Sequence, residues 1–232
     1  MIQQQPPAHG SAFERSGMLA SAIVAVAVGW AVLHWLLVLA APSAVRAYQD
    51  GLASRTPAAE VITTYDFLGV PVALVSIAAF ILTGIWLGRA RRNADRIAPE
   101  KQRRSAPWVW LGWLVPIVFF WFPKQVVDDV WRATVRDPGQ PSTGWWWGSW
   151  IAAQLLGALA TQSFMINGEP RPELLEYLVL FEGLTALATT LAALHWIRVV
   201  RIVSQAQDTL VDTVPPAPWE QLGPSGEYGY PS

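Results

Sequence analysis

Four runs of apolar residues, each long enough to cross a bilayer, constrain this chain more than any other feature of its sequence. A helical span needs roughly 20 mostly apolar residues to cover about 30 Å of hydrocarbon. Runs 17–41, 67–87 and 145–164 meet that length without a charge, and 175–197 meets it with Glu176 near its start and Glu182 inside. Composition agrees, since 53% of residues are hydrophobic and 14% charged, whereas soluble domains carry about 25% charge. The reading is an all-α integral membrane four-helix bundle. The first run is about twice the length of a signal-peptide core, with Arg15 beside Glu14 as its only basic flank, so it reads as a span that is retained.

A shorter run, 108–122, spans fifteen residues, contains Pro116 and is closed by Pro123. Lys and Arg that flank spans accumulate on the cytoplasmic side. If 108–122 dips in and returns, thirteen of the sixteen basic residues lie on one side and only Arg46, Arg55 and Arg171 on the other. If it crosses, the split is nine to seven. The uneven split is the one expected. It gives four spans, both termini cytoplasmic, and a re-entrant or interfacial segment, 107–135, between spans two and three. The tails 1–16 and 204–232 are expected to be disordered, the termini being rich in Pro, Gly, Gln and Tyr without apolar periodicity.

The inner loop carries seven basic residues from Arg89 to Arg104 against Asp95 and Glu100. Arg89, Arg91, Arg92, Arg103 and Arg104 could dock anionic headgroups, or act only as topology determinants. Nine of the fourteen Trp lie between Trp108 and Trp150. Trp favours the headgroup level, so Trp108, Trp110, Trp113, Trp121 and Trp131 are expected to face lipid or a membrane partner. After Pro123, Val126, Val127, Val130 and Trp131 recur at helical spacing, opposite Lys124, Gln125, Asp128, Asp129 and Arg132. This predicts a short amphipathic helix in the inner interface, with Asp128 and Asp129 paired to Lys124 and Arg132. In the third run, Gly148, Ala152, Ala153, Gly157 and Thr161 have small-residue spacing suited to close helix packing.

The string from Gly112 and Trp113 through Pro116 to Ile117, then Trp121 to Pro123 and Asp129 to Ala133, with Trp131 and Arg132, sits between two pairs of spans. It resembles the signature of an uncharacterised bacterial membrane domain common in actinobacteria, domain of unknown function four-three-two-eight. The resemblance implies the same architecture over about 17–203 and no established activity. This chain has Phe119 where the family often has Asn, so no polar ligand-binding group is expected there. Fourteen Arg against two Lys also suit a high-GC source.

Zero Cys excludes disulfides and thiolate chemistry, and three His (His9, His34 and His195) give no metal motif. A net charge of -1 gives no reason to expect nucleic acid. No cofactor is implied, and haem finds no second intramembrane His at matching depth. An ionisable group in hydrocarbon is a functional candidate by default. With span centres at Gly29 and Ala186, His34 and Glu182 fall at one depth, about 6–7 Å outside the midplane. They are therefore expected to pair across spans one and four. His195, beside Trp196, reads as interfacial. The functional expectation is a non-enzymatic accessory or scaffold subunit that binds membrane partners or inner-leaflet lipid. A small transporter or proton-coupled sensor using His34 and Glu182 is the alternative.

Overall fold

The structure is a computed structural model describing residues 14–135, 139–140, 142–166, 169–170 and 172–213. The tail segments 1–13 and 214–232 lie outside the described residues. The helices are α1 (Gly17–Ser54), α2 (Thr64–Ile97), α3 (Trp108–Leu114), α4 (Phe122–Thr134), α5 (Gly144–Phe164), the single turn α6 (Pro172–Leu175) and α7 (Leu178–Thr213). A two-residue ladder, β1 (Met165–Ile166) against β2 (Glu169–Pro170), joins α5 to α6. The chain is an all-α membrane bundle. Helices α1, α2 and α7 are long and apolar enough to cross a bilayer, and α3 with α4 qualifies only as a pair bent by 113°. Helix α5 is uncharged over its 21 residues, and the indoles of its first turns lower its mean hydropathy.

Antiparallel cross-links fix the bundle. The Ser16 N–H donates to Asp208 Oδ1 at 3.1 Å and Trp35 Nε1 donates to Thr190 Oγ1 at 3.0 Å, setting α1 against α7. The Glu14 N–H donates to Asn93 Oδ1 at 3.0 Å and Tyr48 donates to Asp66 Oδ1 at 2.9 Å, setting α1 against α2. Trp146 on Trp196 at 4.5 Å sets α5 against α7. The long helices thus follow one another as α2, α1, α7, α5, and the outermost two, α2 and α5, make no substantial contact. Both described ends of the chain lie at the end of the bundle where α2 finishes and α5 begins. Exposed Val28, Val32, Leu39, Leu74, Ile77, Leu155, Leu159 and Leu187 give the long helices an apolar outer surface, as hydrocarbon requires.

Three helices outrun the runs read from the sequence. Helix α1 has 38 residues, α2 34 and α7 36, so each is over 50 Å long at 1.5 Å per residue. The tail boundaries move accordingly. Residues 204–213, expected to be disordered, continue α7, and Glu14 and Ser16 are tied to α2 and α7.

The gap between α2 and α5 is filled by a hairpin. Helix α3 runs seven residues, and its C-cap Val115 is extended. Ile117 then adopts φ 71° and ψ -61°, with the Val118 N–H donating to Pro116 O at 2.8 Å. This is a γ-turn that a β-branched residue adopts only under strain. A 3-10 turn, Val118–Phe120, leads into α4, which has Pro123 in its first turn. Pro cannot donate there and does not need to. The chain therefore bends by 113° around Pro116 and Ile117, where the sequence places a turn.

Glycine sets how closely the hairpin approaches. A Cβ on Gly84 of α2 would overlap the ring of Trp110, which also packs edge-on against Phe80 at 5.6 Å. At Gly112 a Cβ would meet Phe122 Cβ at 3.3 Å, so the signature glycine lets α3 lie against the start of α4. Gly84→Ala is expected to displace Trp110 and destabilise the protein by about 1–3 kcal/mol, as overpacking does. Gly69→Ala, where a Cβ meets open space, should change the thermal midpoint in detergent little. Equal midpoints for the two variants would show that the Trp110–Gly84 approach contributes nothing.

Candidate functional site

At the foot of the hairpin, Asp129 is 0% exposed and holds both arms. Its carboxylate accepts from Arg103 Nε at 2.7 Å and from the Arg103 backbone N–H at 2.9 Å, and it pairs with Arg132 one turn along α4. Arg104 Nε donates to Gln125 Oε1 at 2.8 Å while its guanidinium covers the Phe122 ring at 4.0 Å. Entry and exit of the hairpin are thus fastened to each other. Beside this clamp, fully buried Asn93 and Gln207 bond at 3.1 Å. Gln207 Nε2 also donates to Ala90 O and Thr134 Oγ1, so one side chain ties α7 to α2 and α4. Glu14 accepts two bonds from Arg92, at 2.7 and 2.8 Å, and these hold its carboxyl below the ordinary range.

The basic residues expected to face lipid each have a partner within the protein, while Arg89, Arg92 and Arg103 stay 40%, 54% and 46% exposed. Arg91 is buried and lies 3.7 Å from Asp95, Arg89 and Arg92 reach Glu14, and Arg103 and Arg104 close the clamp. Asp95 lies on the same helix as Arg91, but Glu14 and Asp129 lie on other segments, which charge counting along one loop does not reveal. The expected Lys124–Asp128 and Arg132–Asp129 pairs are present. The apolar face of α4, however, lies in the bundle core and not on lipid: Val126, Val130 and Ala133 pack with Ala90, Trp196 and Val200. Asp129, assigned to the wet face, is buried with them.

Above the clamp the hairpin borders a partly open cavity of about 330 Å³ to which all four long helices contribute. Trp30 contributes from α1, Ser76 and Phe80 from α2, Trp146, Trp150 and Gln154 from α5, and Ala192 and Trp196 from α7; Trp113, Leu114 and Phe119 come from the hairpin. The aromatic walls brace one another. Trp147 stacks on Trp150 at 4.9 Å, Trp113 meets Trp150 edge-on at 5.4 Å, and Phe119 lies 5.0 Å from Trp150. Trp147 Nε1 donates to Phe120 O at 3.1 Å and satisfies a carbonyl of the non-helical tip. Of the Trp residues assigned to lipid, Trp113 faces the cavity and Trp108 packs on Phe122 at 4.5 Å, while Trp131 is half-buried against the core. Trp110 and Trp121 are exposed, at 36% and 42%. Pockets of this size with aromatic walls and few polar groups are typical small-molecule sites.

His34 and Glu182 do not pair. Glu182 accepts a hydrogen bond from Tyr65 at 2.5 Å, and His34 Nδ1 is buried without a hydrogen-bond partner. The Trp35–Thr190 bond shows the reason, because it places His34 level with residue 190 or so, about 12 Å along α7 from Glu182 by helical rise. The assumed midpoints fail because α1 and α7 extend far beyond the apolar runs. Tyr65 was missed because it precedes the second run, although its spacing from Asp66 and the start of α2 marks that end of the bundle. His34 instead packs edge-on against Trp30 at 5.4 Å, and His195 stacks on exposed Trp145 at 6.4 Å. Of the small-residue stripe of α5, Ala153 is buried and Gly157 faces Thr185, while Gly148 and Thr161 are exposed. Among the described residues, no group of three His, Asp or Glu side chains is placed to hold a metal ion.

Fold and site together define a helical membrane protein with a partly open aromatic cavity bordered by a clamped hairpin. The chain belongs to the family described as Domain of unknown function (DUF4328), whose model matches residues 53–205 and so leaves out nearly all of α1. No curated protein and no solved structure matches the chain.

Asp129→Ala should lower stability by about 1–3 kcal/mol, because the Arg103 N–H and two guanidinium groups lose their common acceptor. Lys124→Ala, at a partly exposed i,i+4 pair, should cost only a few tenths. Thermal unfolding of both variants in one detergent checks this, and equal losses would contradict a special role for the clamp.

Proposed function

We propose that this chain is a non-enzymatic protein of the bacterial cytoplasmic membrane that binds lipid within its bundle. The observation that supports this is the aromatic cavity between α2 and α5, bordered by the hairpin and lined without a charged side chain. A cavity with this lining suits a lipid that enters between the two helices that do not pack together. The hairpin is read as re-entrant, because its two arms are fastened at one end of the bundle and it bends by 113° between them. That end is taken as cytoplasmic on the distribution of basic residues, with both termini on the same side. A lipid-loaded bundle of this kind would serve as an accessory subunit to other membrane proteins, and an actinobacterial source fits the Arg-rich composition.

Filling the cavity tests the reading. Ala79→Phe, at the α2 wall, should reduce lipid that stays bound through purification in mild detergent, measured by native mass spectrometry. Unchanged lipid occupancy in a folded variant would refute it. The topology has its own check in this Cys-free chain. Thr209→Cys, on an exposed position of α7, should react with an impermeant maleimide only after cells are permeabilised, and Ser54→Cys should react in intact cells. The reverse pattern would invert the orientation.

A further inference from the structure

Gln154 brings an amide to the cavity wall and is the middle residue of α5. That helix extends about 31 Å at 1.5 Å per residue, which matches the hydrocarbon core, so Gln154 stands about 15 Å from either end. Contacts with α7 give the same depth. Trp145 stacks on His195 and Gly157 faces Thr185, which brings Gln154 level with Leu187, itself 50% exposed. Gln154 is exposed, and among the described residues its amide has no hydrogen-bond partner. The other polar side chains on the lining are placed differently. Ser76 returns its hydroxyl to Val72 O in its own helix, and Thr83 lies one turn from Trp86, which bonds Ser204 toward the clamped end of the bundle. At mid-bilayer neither water nor headgroups are at hand, and an unmatched amide carries its full desolvation cost. A group that supplies the missing bonds therefore belongs beside Gln154.

Helical geometry turns this amide toward the cavity. At 3.6 residues per turn, Gln154 is about 100–140° around α5 from Gly148, Leu155 and Leu159, which are exposed on the outer face of that helix. The walls then restrict the guest. They carry no charged side chain, so a phosphate or carboxylate would find no counter-charge there. A phospholipid entering between α2 and α5 keeps its headgroup at the interface and presents only methylene groups at this depth. An amide both donates and accepts, and a hydroxyl does both in return. The rings of Trp113, Phe119, Trp150 and Trp196 cover the apolar remainder of such a molecule. We infer that the cavity holds a lipid alcohol, an uncharged lipid with a hydroxyl and no phosphate, and that its hydroxyl bonds the Gln154 amide at mid-bilayer. This rests on the lipid-binding reading above and specifies its ligand.

The test uses the full-length protein, stripped of lipid by detergent exchange and incubated with an equimolar mixture of geranylgeraniol, the hydrocarbon of the same skeleton and phosphatidylglycerol. After repurification the retained lipids are extracted and quantified by mass spectrometry. The wild type should retain the alcohol over the hydrocarbon. Gln154→Leu removes the amide and places at mid-bilayer a residue that hydrocarbon accepts, so the fold is kept. At subsaturating lipid it should lower the retained alcohol roughly 3- to 10-fold, the worth of one hydrogen bond, and leave the hydrocarbon unchanged. Equal retention of both by the wild type, or an equal loss of both in the variant, would overturn the inference, since packing alone would then explain binding. A wild-type dimer that Gln154→Leu converts to a monomer, read by light scattering, would overturn it too, because the amide would then serve a second copy. If phosphatidylglycerol is retained in place of the alcohol and is lost on Ala79→Phe, this inference falls and lipid binding stands. If no lipid is retained, both fall.

Discussion

Backbone that leaves the helix inside a bilayer must be covered by protein, because hydrocarbon offers no hydrogen bonds and each bare polar group costs several kcal/mol. The turn at Val115 to Ile117 leaves the helix beside the apolar helices with its side chains exposed, so its backbone polar groups are satisfied from within the hairpin and from α5. Helices α2 and α5 stand apart and leave the slot that the hairpin fills. The tip satisfies its own donors through bonds from Val118 to Pro116 and from Phe119 to Val115. Its Phe120 carbonyl is taken by Trp147 across the slot. Glycine at position 84 brings α2 close enough for Trp110 to seal the other side. The strain at Ile117 persists because anchors on both flanks determine the path of the chain between them.

Those anchors lie at one end of the bundle and are polar. Asp129, Asn93 and Gln207 are buried completely, and each is satisfied by more than one partner. Such networks add little net stability over an apolar core of the same shape, yet they penalise every misaligned arrangement. Gln207 reads the register of α7 against both α2 and α4, so a slip by one turn would strand its amide. The apolar remainder of the interface, largely Ala and Val on these helices, would tolerate that slip more readily. Specificity of assembly at this end therefore comes from the amides and the carboxylate, and bulk burial comes from the Val and Trp side chains around them.

The sequence reveals the number and kind of long elements because hydrophobic length is a local property. It is equally clear on Pro116 as the turn and Pro123 as a helix start, each a consequence of proline's missing N–H and fixed φ. Register between distant helices is not local. Placing span centres at the middle of each apolar run put His34 opposite Glu182, but α1 and α7 continue through charged turns that pack on each other, and the true offset is set by Ser16 with Asp208. The same limitation hides Tyr65 as the partner of Glu182 and Glu14 as the partner of Arg92, residues far apart in the chain. The basic cluster carried two meanings in the sequence, orientation and lipid docking. The structure adds a third, since most of these side chains close the protein on itself.

Tryptophan shows the same division most clearly. A Trp-rich segment bounded by charges has two physical meanings, a belt at the headgroup level or a rigid wall inside the fold, and both exploit a large flat ring with one polar edge. What separates them is the direction each side chain takes from its backbone, which the hairpin decides. By turning at Pro116 it points Trp113 and Phe119 back toward Trp150, while Trp121, on the outward side of the same turn, stays exposed. The inward-facing indoles of Trp113, Trp147 and Trp150 are braced by one another, which limits their rotamer freedom. A single strained turn thus converts a sequence that reads as a membrane anchor into the preorganised wall of a cavity.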